Sequence, residues 1–185
     1  MATWHISARS DMGNIILTGF MGTGKSSVGK ELALRLNYRY IDLDALIVAE
    51  AGISINEIFT RDGETAFRAI EARLLSSLKG EENMVLSTGG GAVIAGENRR
   101  VLRELGMVIN LVAPAEEILL RLRHEHDRPL LNNDKSLERI RALIAHREPF
   151  YADADVRIET CGKTVAGIVD EILIWLKRAG ARGQA

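Results

Sequence analysis

The sequence is poor in cysteine and proline: Cys161 is its one thiol, and Pro114, Pro129 and Pro149 are its only prolines among 185 residues. One thiol cannot close an intrachain disulfide, which fits a reducing compartment and makes the cytoplasm the expected address. Long apolar runs are missing too, and none approaches the ~18 residues that a membrane-crossing helix needs. The opening stretch MATWHISARSDM has no apolar core of the kind a secretory signal carries, so 1–13 reads as a flexible extension. Neither sign of charge is in excess, since 24 Lys and Arg face 25 Asp and Glu for a formal net charge of −1. That balance excludes a generally basic nucleic-acid binder. No nucleic acid and no membrane is therefore expected among the partners.

What is present is ordinary for a globular protein, with 46% apolar and 26% charged residues. The length suits a single domain, ~150 residues being a usual size. Such a chain buries roughly 70% of its unfolded surface, enough to fold without a structural metal. The basic residues are uneven, 18 Arg to 6 Lys. Guanidinium groups grip carboxylates and phosphates with two parallel donors, so the bias suits small anionic ligands; GC-rich coding would produce it equally well.

Short β-rich runs alternate with helical spacing. Residues 14–18 (NIILT), 39–43 (RYIDL), 84–87 (MVLS) and 107–112 (MVINLV) read as strands, with a weak fifth at 156–158. Helices are predicted for 25–36, for 64–78 through Phe67, Ile70, Leu74 and Leu78, and for 97–105. Pro114 suits the first turn of a further helix. Val165, Ile168, Val169, Ile172, Leu173 and Leu176 recur as the core-facing stripe of a C-terminal helix. This alternation predicts an α/β fold, a parallel sheet covered on both faces. The continuous apolar runs NIIL and MVINLV suit that double burial. Between Arg123 and Ser136 the pattern breaks into a polar stretch around Arg128-Pro129, read as a mobile lid.

Residues 19–26, GFMGTGKS, fit G-x-x-x-x-G-K-[ST] with a strand before and a helix after. Gly19, Gly22 and Gly24 let the backbone wrap around phosphates, and the following helix aims its positive end at the same anion. In that geometry Lys25 reaches the β- and γ-phosphates and the Ser26 hydroxyl ligates Mg²⁺. No N-K-x-D guanine-reading motif is present. A short chain with a lid points instead to phosphoryl transfer onto a small molecule.

Asp42 and Asp44 (IDLD) are expected at the end of the second strand, on one side of the pleat. One carboxylate near Mg²⁺ and another orienting an acceptor hydroxyl is what a small-molecule kinase requires, although both could simply cap the next helix. Gly89, Gly90 and Gly91 follow the third strand at the carboxyl edge, where α/β ligands bind; alone they could equally be a flexible turn. Arg68 faces back towards Glu64 on its helix, and Arg147 in HREPFY alone reads as surface. His124 and His126 are read as solvated histidines and Cys161 as a small packing residue.

The blocks GFMGTGKS, YIDLDALI, IFTRDGETAFRAIE, STGGGAV, DRPLL and HREPFYADAD closely resemble, in order, those of the shikimate kinase family. DGE-x-x-FR-x-IE followed by GGG is specific to it. The resemblance implies a nucleoside monophosphate kinase-like P-loop fold, a three-layer sandwich with a five-stranded parallel sheet. It implies one kinase domain over 14–178, with a substrate-binding region at about 43–71, a lid at about 124–135 and a flexible tail at 179–185. The implied reaction is ATP- and Mg²⁺-dependent phosphorylation of the 3-hydroxyl of shikimate, on the route to aromatic amino acids, by a monomer. By the resemblance, Asp44 is the partner of that hydroxyl and the candidate base. Arg68 and Arg147 clamp the substrate carboxylate, and Gly90, between Gly89 and Gly91, contacts the substrate. Asp42 holds Mg²⁺ with Ser26, and Arg128 closes over the phosphates. On the nucleotide, Gly22, Thr23, Gly24, Lys25, Ser26 and Ser27 serve the phosphates, while Arg121 and Lys163 lie on the adenine side. A related hydroxy-acid kinase, such as one for gluconate, and a catalytically silent ATP-binding module are the alternatives.

Overall fold

Residues 13–123 and 136–182 are described in a computed structural model of the chain. Most of the N-terminal extension, the expected lid with Arg128, His124 and His126, and the last three residues lie outside the described residues. The elements follow as β1 (Asn14–Thr18), α1 (Lys25–Leu36), β2 (Arg39–Asp42), α2 (Leu43–Ala51), α3 (Ile55–Arg61), α4 (Gly63–Ser77), β3 (Met84–Ser87), α5 (Gly96–Leu105), β4 (Gly106–Val112), α6 (Ala115–Arg121), α7 (Leu137–Tyr151), β5 (Val156–Glu159) and α8 (Val165–Arg182).

The five strands form one parallel sheet in the order β2-β3-β1-β4-β5. Successive residues of β1 point to opposite faces, and each face has its own core. Ile15 and Leu17 join Val85, Ile109 and Leu111 beneath α1 and α8, through Val28, Leu32, Val169 and Ile172. Ile16, Met84, Leu86 and Val108 meet Ile47, Phe67, Leu75 and Leu102 from α2, α4 and α5. Burying a side chain of this size is worth about 1.5–3 kcal/mol. Sequence patterning thus fixes the central strand, and with it the edge from which the phosphate loop departs.

Several elements differ from the sequence expectation, each for a physical reason. Strand β2 stops at Asp42 rather than residue 43, because the Asp42 carboxylate caps α2, accepting from the backbone N–H groups of Asp44 (3.1 Å) and Ala45 (3.4 Å). Asp42 and Asp44 therefore do not share a pleat; Asp44 stands in the first turn of a helix. Pro114 is the N-cap of α6 and sits one residue outside the helix. Helices α2, α3 and α7 have no counterpart in the spacing. Ser54 and Glu57 form a capping box at the start of α3, a signal that S-x-x-E offers in the sequence itself. Helix α7 hides its period, since its buried positions are Ile140, Arg147 and Tyr151 and Pro149 lies inside it. Along α4 the predicted positions Phe67 and Leu78 are buried and Ile70 and Leu74 pack partly buried against the same core, while Glu71 and Leu75 are buried besides. In α8, Val165 falls outside the buried stripe, and the helix runs to Arg182, beyond the boundary expected at 178.

Candidate active site

The phosphate loop leaves buried β1 at the carboxyl edge of the sheet. Gly24, in the left-handed region at φ 93°, caps α1 where a side chain would strain the backbone. No acidic residue occupies the first turn of α1, so its positive end is not neutralised within the helix. Lys25 is buried, and its ammonium donates to the carbonyls of Gly19 and Phe20, both at 2.9 Å. The Thr23 hydroxyl donates to the Phe20 carbonyl at 2.8 Å, tightening the same turn. A cavity of about 260 Å³ opens here, and Lys25, Ser26, Asp42, Asp44, Gly90 and Arg121 all line it. Residues predicted for the nucleotide and for the acceptor thus border one space.

On one side of that space, Asp42 Oδ2 accepts from the Ser26 hydroxyl at 3.2 Å and from the Tyr40 hydroxyl at 3.0 Å. Burial, above all, pushes the Tyr40 phenol up to about 12, which keeps it a donor at neutral pH. A serine hydroxyl beside a carboxylate is a hard-oxygen pair that fits a small divalent cation such as Mg²⁺.

On the other side, the turn after β3 meets every predicted acceptor group among the described residues. A methyl group on Gly89 would stand 2.8 Å from Asp44 Oδ1 and 3.3 Å from Glu71 Oε1. One on Gly90 would stand 3.2 Å from the Met21 nitrogen of the phosphate loop and 3.6 Å from Arg147 Nη1. One on Gly91 would stand 2.9 Å from Arg68 Cζ. At Gly90 a side chain would meet the phosphate-loop backbone, whereas at Gly89 and Gly91 it would meet the Asp44, Glu71 and Arg68 side chains.

Arg68 is held at i−4 and i+3, donating to Glu64 at 3.1 Å and to Glu71 at 2.8 Å, with its guanidinium 5.0 Å from the Phe67 ring centroid. Arg147 is 2% exposed, a correction to its surface reading. Its Nη1 donates to the Gly90 carbonyl at 3.3 Å and its guanidinium lies 5.3 Å from the Phe20 ring centroid. Tyr151 donates to the same carbonyl at 2.6 Å, its phenol pushed up to about 12, chiefly by burial. Glu71 is fully buried, and burial, opposed by Arg68, raises its carboxyl above the ordinary value. Among the described residues, Glu71 Oε1 and Arg147 Nε meet no hydrogen-bond partner. Buried polar atoms left unpaired are costly, and sites that await a ligand are where such costs persist.

Arg121 ties the phosphate loop to the segment after β5. It donates to the Gly22 carbonyl at 3.1 Å and to the Thr160 hydroxyl at 3.1 Å, and pairs with Glu117 at 2.8 Å. Lys163 pairs with Glu171 of α8 at 2.5 Å, turned along the helix. Ser27 is exposed beside Ser26. Cys161 is exposed rather than packed, because its segment lies outside both cores. Tyr40, Glu71 and Tyr151 are site residues that sequence reasoning missed. Glu71 alone left a signal, as the last residue of FRAIE one turn after Arg68.

Comparison with known proteins bears on the family and the fold. The family model described as shikimate kinase matches residues 21–177. The shikimate kinase of Geobacter metallireducens is 60% identical over 177 residues, covering 96% of this chain and 99% of the relative. That of Geobacter sulfurreducens is 55% identical over 175 residues, covering 95% and 97%. Among solved structures, shikimate kinase from Acinetobacter baumannii in complex with shikimate superposes with a TM-score of 0.88 at 34% identity, covering 92% of this chain and 96% of that one. A gluconokinase from Sinorhizobium meliloti reaches a TM-score of 0.58 at 21% identity, with 94% and 97% covered, a likeness of fold alone.

Proposed function

The chain belongs to the shikimate kinase family, and on that premise we propose how its residues divide the transfer of the ATP γ-phosphoryl group to the 3-hydroxyl of shikimate. The observation that carries the reading is the glycine turn. It brings Asp44, Arg68 and Arg147 together against the phosphate loop, so that an anionic acceptor and a nucleotide would meet there. Arg68 and Arg147 take the carboxylate of shikimate, with the unpaired Arg147 Nε among the donors available. The Gly90 backbone completes the acceptor pocket.

Asp44 orients the 3-hydroxyl and accepts its proton as the oxygen attacks the γ-phosphorus. The bond from that phosphorus to the bridging oxygen breaks, ADP leaves with the electron pair, and shikimate 3-phosphate carries the new ester. Lys25 exchanges its two carbonyl partners for the β- and γ-phosphates. Ser26 and, through water, Asp42 would hold Mg²⁺, which supplies neutralisation of the phosphate charge. The family resemblance assigns Arg128, outside the described residues, to offsetting charge on the phosphates and Arg121 to the adenine side; Gly22, Thr23, Gly24, Ser27 and Lys163 complete the nucleotide contacts. Every residue comes from one chain, so a monomer suffices. No helix among the described residues is long and apolar enough to cross a membrane. The single thiol suits a reducing compartment, and the reading is of a cytoplasmic enzyme of aromatic amino acid synthesis.

A coupled ADP-release assay with shikimate, quinate and gluconate tests this. Turnover is expected with shikimate. Preference for gluconate would favour the alternative kinase, and ATP binding without turnover on any acceptor would identify a silent module.

A further inference from the structure

We propose that Arg99 is a positioning residue for the acceptor site, clamping the glycine turn and the end of α7 against each other and so setting where Arg147 meets its anion. The inference rests on the reading of Arg147 as a partner of the acceptor carboxylate.

Its basis is a closed ring of contacts. Downstream of Gly91, two consecutive residues of α5 hold three consecutive carbonyls. Asn98 Nδ2 donates to Ala92 at 3.0 Å, and Arg99 Nη1 donates to Val93 at 2.7 Å and Ile94 at 2.9 Å. Those carbonyls follow directly on the turn, in which the Ala92 N–H bonds the Gly89 carbonyl and the Ile94 N–H bonds the Gly91 carbonyl, each at 3.1 Å. The same guanidinium reaches the other wall of the site. Its carbon lies 5.0 Å from the ring centroid of Phe150, and its Nε stands 3.6 Å from Asp153 Oδ2. Phe150 adjoins Tyr151, which returns to the turn through the Gly90 carbonyl, as does Arg147 one helical turn earlier.

Side chains link the C-terminal end of α7 to the turn: Arg147 and Tyr151 directly through the Gly90 carbonyl, and Arg99 from α5 through the Phe150 ring. Arg103 gives Asp153 a second partner, bonding both its carbonyl and its carboxylate. Only a flat, rigid fork can bond two carbonyls, face a carboxylate and stack on a ring at once. A lysine ammonium is a single point charge on a flexible stem.

The test begins with wild-type turnover of shikimate, followed by the KM values of Arg99→Lys and Arg99→Gln. Both variants are expected to raise the shikimate KM about tenfold while shifting the ATP KM less than about twofold, since small misplacements of a binding group are felt strongly. An unchanged shikimate KM, a matched rise in both KM values, or full rescue by lysine overturns the proposal. If neither variant folds, Phe150→Leu keeps Arg99 and removes its stacking partner; a shikimate-selective rise supports the clamp and its absence overturns it. Wild-type inactivity on shikimate would instead remove the functional reading, and the proposal with it, a result distinct from an active enzyme indifferent to Arg99.

Discussion

The phosphate loop is one unbroken stretch, residues 19–26, whereas the acceptor side gathers Asp44, Arg68, Glu71, the glycine turn and Arg147 from places spread over more than half of the chain. The first works with backbone N–H groups and a helix terminus, which any sequence of the right spacing supplies. The second works with charges taken out of water. Glu71 is fully buried and Arg147 nearly so, and each has a partner on one side and an unpaired atom on the other. Burying a charge is tolerated only where neighbours compensate it. Here Arg68, the Gly90 carbonyl and the Phe20 ring do so in part. The acceptor side is thus held ready at some expense in stability, whereas on the nucleotide side the buried Lys25 ammonium bonds two loop carbonyls.

The division can be broken most forcefully at Asp44. Asp44→Asn should lower kcat by about 10²–10⁴, the usual contribution of a general base, while leaving nucleotide affinity, measured by equilibrium binding, unaltered. A comparable loss of nucleotide affinity would mean that the two sides are not separable. A smaller effect is expected at Gly91, where a methyl group would crowd the Arg68 guanidinium. Gly91→Ala should raise the shikimate KM about tenfold and spare the ATP KM, because a misplaced binding group is felt at its own ligand. Equal changes in the two constants would detach Arg68 from the acceptor.

The mildest test concerns the stability cost itself. Burial raises the Glu71 carboxyl above 4.5; Arg68 opposes the shift, and Asp44 and Glu64 add to it. A raised folded-state pKa contributes stability that is fully present below the unfolded value and is lost as pH rises through the folded value. Glu71→Gln cannot lose this contribution. Its melting temperature should therefore gain on that of the wild type as pH rises from 4.5 towards neutrality, by about 2–4 °C if the contribution is ~1 kcal/mol. A wild type that gains on the variant over the same interval would make the Glu71–Arg68 pair a net stabiliser and erase the contrast between the two sides.

Legibility followed the same line. GFMGTGKS could be read because its parts are adjacent, and β1 and β4 because burial on both faces leaves continuous apolar runs. Asp42 and Asp44 were legible as a pair, but the pleat invoked for them does not exist, since a cap ends the strand between them. Helix α7 was illegible because the face it buries includes an arginine and a tyrosine, chosen for what they meet across the chain. Glu71 escaped for the same reason, as apolar periodicity cannot register a carboxylate whose counter-charge makes it an interior residue. Local rules read local structure, and buried polar groups answer to distant partners.

The strand order has a consequence for how such a chain is made. β1 pairs with β3 and β4, which begin only at Met84 and Gly106. At ~5–20 residues per second of synthesis, a ribosome exposes NIILT and its glycine loop for several seconds before either neighbouring strand has emerged. During that interval the apolar strand has bare edges on both sides, a surface that invites association with other chains. The nucleotide loop is translated well before the two strands that frame it, so an abandoned N-terminal fragment would carry the motif without the sheet that aims it.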